Sequence, residues 1–222
     1  FGPWVTDRAP DCFAEGSRQR QCRRCGQTET ETLPASPENC PSLAFTDLRT
    51  SAWYHTGVDY VLSSGLMNGV SATRFSPDRP MTRGQLVTVL YRMEGSPAAA
   101  GGSPFSDVTL DQYYARAVLW AAETGLVNGV GGGRFAPESN ITREQIGVIF
   151  CRYAQWKGQD CSGAASLAGF ADGGKVSGYA RQAMAWAVYS GLMVGMEDNT
   201  LRPQGTATRA QVATMLMRYF TQ

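Results

Sequence analysis

A four-residue phrase, Thr82-Arg83-Gly84-Gln85, returns as Thr142-Arg143-Glu144-Gln145 and again as Thr208-Arg209-Ala210-Gln211. Its surroundings return with it. Phe45-Thr46-Asp47-Leu48 matches Phe105-Ser106-Asp107-Val108 and Phe170-Ala171-Asp172-Gly173, while Trp53 matches Tyr113 and Tyr179. Further on, Gly65-Leu66 matches Gly125-Leu126 and Gly191-Leu192, and Phe75-Ser76-Pro77 matches Phe135-Ala136-Pro137 and Leu201-Arg202-Pro203. The first two copies are offset by 60 residues without a gap, and the third by 66 over most of its length. A period of this size marks stacked supersecondary units, because one such unit cannot bury its apolar face alone.

Each unit reads as helix, loop, helix. Residues 53–64, 113–124 and 179–190 carry apolar side chains at helical spacing and stop at Gly65, Gly125 or Gly191, where glycine takes the left-handed cap conformation. The second helices run from Arg83 to Glu94, Arg143 to Trp156 and Arg209 to Phe220. Thr followed three residues later by Gln is the capping-box spacing, so Thr82, Thr142 and Thr208 are expected to be N-caps. That puts Arg83, Arg143 and Arg209 at the first helical position, beside amides that favour an anion. Three candidate anion sites result.

Residues 1–44 differ in kind. Residues 16–21 and 27–33 read as the strands of a hairpin around the tight turn Cys22-Arg23-Arg24-Cys25-Gly26. With Cys12 and Cys40, these cysteines suit either a tetrahedral zinc site or two disulfides, and a segment this small needs some such staple. Cys151 and Cys161 are a further candidate disulfide across the linker between the second and third units. Residues 95–103 read as a flexible Gly/Ala/Ser joint. The expected divisions are therefore 1–44 for the Cys-rich hairpin module and linker, then 45–95, 104–157 and 169–222 for the three repeats. The fold class is mainly α, three helix-loop-helix repeats with a small N-terminal β-hairpin module.

Composition narrows the function. The net charge of +1 gives no reason to expect nucleic acid as a partner. No apolar run approaches the roughly 18–20 residues that span a bilayer, so membrane insertion is not expected. His55 is the only histidine, which rules out Ser-His-Asp triads unless it serves, and no nucleophile elbow or phosphate-cradling loop occurs. No catalysis is expected within these residues. The opening Phe1-Gly2-Pro3-Trp4, without Met, is what a piece of a longer protein would show.

The thrice-repeated F-x-D, aromatic-led helix, Gly-Leu, F-x-P and T-R-x-Q resembles S-layer homology domains over about residues 45–222. The first 44 residues resemble small Cys-rich modules found beside surface-anchoring domains. The resemblance implies a pseudo-threefold bundle with grooves between units, outside the cell at the wall or S-layer. It also implies noncovalent anchoring of a larger surface protein to a secondary cell-wall polysaccharide on peptidoglycan, often through a pyruvylated sugar, with no cofactor required; a structural zinc in the N-terminal module stays one of the two readings of its cysteines. Carried over residue by residue, Arg83, Arg143 and Arg209 contact the anionic sugar. Asp47, Asp107 and Asp172 either accept sugar hydroxyls or hold turns. Trp53, Tyr113 and Tyr179 either stack on a sugar or join the core, and Gly69 and Gly129 either admit the ligand or make the turn. Where the family has Glu after TRA, this chain has Gln85, Gln145 and Gln211. The third unit departs further, with Val194 for Asn, Leu201 for Phe, and added Glu197 and Asp198, so its loop is expected to contribute least. The competing reading is a protein-interaction module using the same grooves.

Overall fold

The computed structural model describes residues 1–10, 12, 15–99 and 101–221. Three strands, β1 (Val5–Arg8), β2 (Gly16–Gln21) and β3 (Thr28–Leu33), precede six helices. These are α1 (His55–Ser63), α2 (Arg83–Met93), α3 (Ala115–Glu123), α4 (Arg143–Trp156), α5 (Arg181–Tyr189) and α6 (Arg209–Phe220). The second helix of every unit starts where its capping box places it: Thr82, Thr142 and Thr208 each accept from the amide three residues on, and the Gln side chain returns a bond to the cap amide. The first helices start later than the sequence suggests. Tyr54, Tyr114 and Ala180 stand at their N-caps without a side-chain cap, so Trp53, Tyr113 and Tyr179 lie before the helix rather than in it.

The units close into a ring. Helix α2 packs on α3, α4 on α5, and α6 returns to α1. At the centre, Met81 N donates to Ala207 O (2.9 Å), Ala207 N to Ile141 O (3.1 Å) and Ile141 N to Met81 O (2.9 Å). This three-membered cycle of backbone bonds lies among side chains no more than 1% exposed, so pseudo-threefold symmetry is built into the main chain as well as the core. The 95–103 joint is tied down rather than loose: Tyr91 Oη donates to Pro97 O, and Arg116 Nη1 donates to the carbonyl of buried Ala99. Ala100 of that joint lies outside the described residues.

The N-terminal module is a three-stranded antiparallel sheet, one strand more than the hairpin expected. Its strands are largely exposed. Cross-strand pairs Arg18–Glu31 and Arg20–Glu29, with both guanidinium groups over Trp4, supply the side-chain contacts that a core would otherwise provide. The four cysteines do not converge, which corrects the expected four-thiolate zinc site. Cys12 is bridged to Cys40, while Cys22 and Cys25 remain free at the hairpin turn. Of the two-disulfide alternative one bridge is present, Cys12–Cys40, while Cys22 and Cys25 are unbridged. The Cys151–Cys161 disulfide is also corrected: both are buried free thiols, with Cys161 Sγ set against the Cys151 carbonyl. Burial, then the nearby Cys151 sulfur, pushes the Cys161 thiol up to about 12, so it stays protonated and inert.

Candidate functional site

Three clefts recur around the ring, and every one is assembled from all three units. The first, about 370 Å³, takes Arg83 from unit one, Asn128-Gly129-Val130, Gln145 and Arg152 from unit two, and Tyr179 from unit three. The second, about 450 Å³, takes Arg143 from unit two, residues 194–198, Arg202, Gln211 and Arg218 from unit three, and Trp53 from unit one. The third, about 300 Å³, takes Arg209 from unit three, residues 66–70, Gln85 and Arg92 from unit one, and Tyr113 from unit two. Cyclic order thus decides which guanidinium meets which aromatic ring.

The repeated arginines are buried to 3–6% exposure yet line these clefts. Arg83 Nε donates to Phe135 O (2.9 Å). Arg143 donates from Nε to Leu201 O (2.6 Å) and from Nη2 to Val194 O (2.8 Å), and Arg209 likewise to Phe75 O (2.8 Å) and Asn68 O (2.6 Å). Each guanidinium carries five N–H donors, so these bonds orient it without exhausting it. Among the described residues none of the three stands in an ion pair. Burial pulls Arg143 and Arg209 down to about 10, helped by neighbouring arginines, and lowers Arg83 as well. They remain charged at neutral pH and desolvated, and Asp107, Asp172 and Asp47 respectively favour the charge of Arg83, Arg143 and Arg209 without forming an ion pair with them.

The amides expected to help bind an anion are taken. Arg83 N and Gly84 N donate to Ser139 O and Pro137 O of the next unit, Arg143 N and Glu144 N to Gly205 O and Pro203 O, and Arg209 N and Ala210 N to Arg79 O and Pro77 O. The third amide goes to the capping threonine. The helix-end contribution is therefore corrected: these donors join one unit to its neighbour, and the positive charge facing the cleft comes from guanidinium groups rather than from helix-end amides.

Asp47, Asp107 and Asp172 line none of the three clefts. Each carboxylate accepts from two consecutive loop amides: Phe75 and Ser76, Phe135 and Ala136, Leu201 and Arg202, at 2.7–2.9 Å. The second residue of each pair has a left-handed backbone (φ 58, 57 and 48°) that a non-glycine residue holds only when its surroundings enforce it. Burial alone would raise the Asp47 and Asp107 carboxyls, but the amide pairs more than offset it and hold both below the usual carboxylate range.

Trp53, Tyr113 and Tyr179 stand 66, 59 and 62% exposed at the cleft edges, outside the core. Tyr179 is fixed by its hydroxyl, which donates to buried Glu144 (3.0 Å), and the same carboxylate accepts from Ser177 and Gln204. Gly69 and Gly129 line the third and first clefts and pass within reach of Phe45 and Phe105, where a Cβ would sit 2.3 and 2.8 Å from the ring. Glycine is required there for close packing of the turn. Missed from sequence were Arg92, Arg152 and Arg218, a second guanidinium in each cleft. Their signal was available, since each follows the Thr-Arg arginine by nine residues in every repeat.

The profile of the S-layer homology (SLH) domain matches residues 44–87, 104–146 and 169–213. An endoglucanase of Bacillus sp. (strain KSM-635) is 30% identical over 172 residues, covering 78% of this chain and 18% of that enzyme. An amylopullulanase of Thermoanaerobacterium thermosulfurigenes is 27% identical over 78% of this chain and 9% of its own length. The surface-layer 125 kDa protein of Lysinibacillus sphaericus is 30% identical over 118 residues, covering 49% of this chain and 10% of that protein. The chain thus spans less than a fifth of each of these relatives.

Proposed function

The chain belongs to the S-layer homology domain family, and from that premise we propose that its three clefts bind an anionic secondary cell-wall polysaccharide and so anchor a larger protein noncovalently to the bacterial wall. Its location is the cell surface. The role is binding rather than catalysis, and residues 45–95, 104–157 and 169–222 act as one three-unit module. The observation that carries this reading is the set of buried, charged guanidinium groups, none of them in an ion pair among the described residues, each lining a cleft that also carries an exposed aromatic ring. A sugar carboxylate, such as that of a pyruvyl ketal, supplies the missing charge to the planar fork while the ring offers a face for stacking.

The clefts are not equivalent. Arg83 with Arg152, and Arg209 with Arg92, meet no acidic side chain in their linings. The Arg143 cleft sets Arg143, Arg202 and Arg218 against Glu197 and Asp198. Asp198 is paired with Arg202 at 2.7 Å and drawn down to about 2, first by the Thr200 hydroxyl and then by that arginine, so it keeps its negative charge. The second cleft therefore holds an acidic ligand least well, although it has the greatest volume of the three.

Sedimentation with purified wall sacculi tests the anchoring. Retention should be lost when the secondary polymer is stripped from the peptidoglycan. Retention that survives stripping, or that needs another surface protein, would favour the protein-interaction reading instead.

A further inference from the structure

The first unit departs from its siblings at one buried place. His55 and Asp59 occupy the first two turns of α1, where the other units have Ala115 and Leu119, and Arg181 and Ala185. The ring of helices thus closes elsewhere without a histidine–aspartate pair. Both are nearly inaccessible, at 7 and 3% exposure, and Cys40 beside them is 4% exposed. Each of Cys12, Cys40, His55 and Asp59 offers one ligand atom, and these atoms lie within 4.8 Å of one another.

The group is oriented as well as close. Ser42 N donates to Asp59 Oδ1 at 2.7 Å, which turns Oδ2 toward His55 Nε2 (2.8 Å) and Cys12 Sγ (3.1 Å). His55 Nε2 also lies 3.0 Å from Ser42 Oγ. Spacing of i and i+4 puts the histidine and aspartate on one helix face, as in helical metal-binding pairs. The two sulfurs come from the N-terminal segment, so the cluster joins that segment to the first helix of the ring.

We propose that these four residues form a zinc-class metal centre whenever Cys12 and Cys40 are reduced, so that the same side chains clip the N-terminal module to α1 by a disulfide or by a metal ion. Two thiolates, an imidazole and a carboxylate are a tetrahedral donor set of the borderline-soft kind zinc prefers. Starting from the dithiol, each thiol loses its proton on binding, the imidazole ligates as the neutral ring through Nε2, and Asp59 exchanges hydrogen bonds for a metal bond. Two protons are released and no electrons move. Starting from the disulfide, a small dithiol must first deliver two electrons and two protons to the sulfurs, leaving as its own cyclic disulfide. Cys22 and Cys25 are outside the cluster and are not ligands.

Cobalt(II) is the probe. The full chain bearing Cys22→Ser and Cys25→Ser is reduced, freed of dithiol without air, and titrated. One equivalent should bind with the thiolate charge-transfer and intense visible bands of a tetrahedral site, and zinc should displace it. The air-oxidised chain should show neither band, and Cys12→Ser with Cys40→Ser should abolish both. His55→Gln should shift the visible bands and weaken binding. Where that variant unfolds, zinc-edge X-ray absorption of the parent reads the same point: two sulfur and two lighter scatterers are expected. A reduced chain with intact helical signal that binds no stoichiometric cobalt overturns the proposal, as does a tetrahedral spectrum that survives loss of Cys12 and Cys40, or a shell of four sulfurs.

Discussion

Arg143→Met separates the binding role of a repeated arginine from its structural one. In the wild type, burial and the nearby Arg202 and Arg218 pull the guanidinium from 12.5 to about 10, which corresponds to about 3 kcal/mol spent keeping it charged. Its bonds to Leu201 O and Val194 O contribute about 1.5–3 kcal/mol each, which together match or exceed that cost. Methionine fills similar volume and removes the charge, but leaves two carbonyls short of a donor at about 1–3 kcal/mol each. Set against the roughly 3 kcal/mol that the charge no longer costs, the net loss of stability should be no more than about 3 kcal/mol, measured by urea unfolding at fixed m-value. Affinity of that cleft for acidic wall polymer should meanwhile fall on the order of 100-fold, the worth of about 3 kcal/mol of charge-assisted hydrogen bonding. Unchanged polymer affinity in a chain already lacking the other two repeated arginines would refute the reasoning. So would a stability loss above about 5 kcal/mol, which would make Arg143 a structural residue first.

Further outcomes follow from the same geometry. Asp107→Ala removes two charge-assisted bonds to the left-handed loop and should cost about 2–4 kcal/mol in urea unfolding, with little direct effect on polymer contacts. Because the folded Asp47 and Asp107 carboxyls lie below their unfolded value near ~3.9, their stabilisation is complete above that pH and disappears as pH falls through the lowered folded values; acid unfolding of Asp47→Asn/Asp107→Asn should show a shallower pH dependence there. Trp53→Ala, Tyr113→Ala and Tyr179→Ala should each weaken polymer binding up to about 10-fold. Of these, Trp53→Ala should leave stability within about 0.5 kcal/mol, since its ring is mostly in solvent. Thr142→Val breaks a capping box and should lower stability by about 1 kcal/mol, checked by thermal unfolding.

What the sequence disclosed was whatever repeats. Capping boxes fix α2, α4 and α6 to the residue because Thr and Gln satisfy local amides, and periodicity finds the first helices because their stripes are apolar. Cyclic closure was not legible. Nothing in Thr82-Arg83-Gly84-Gln85 says that the amides of Arg83 and Gly84 will donate to Ser139 and Pro137, and that distant pairing is what removes the expected anion-binding amides. The Asp of F-x-D showed its recurrence but not its partners, since the loop amides it holds lie 28 to 30 residues away. The cysteines misled because spacing suggested one four-sulfur group, whereas Cys12 and Cys40 converge with a helix from the next module.

Calorimetric titration of the three-unit chain with wall polysaccharide, before and after mild acid removes its ketal carboxylates, tests the central claim most directly. The account predicts that the intact polymer binds on the order of 100-fold more tightly and that this advantage shrinks as salt rises. Equal affinity for the acidic and neutralised polymers would contradict it.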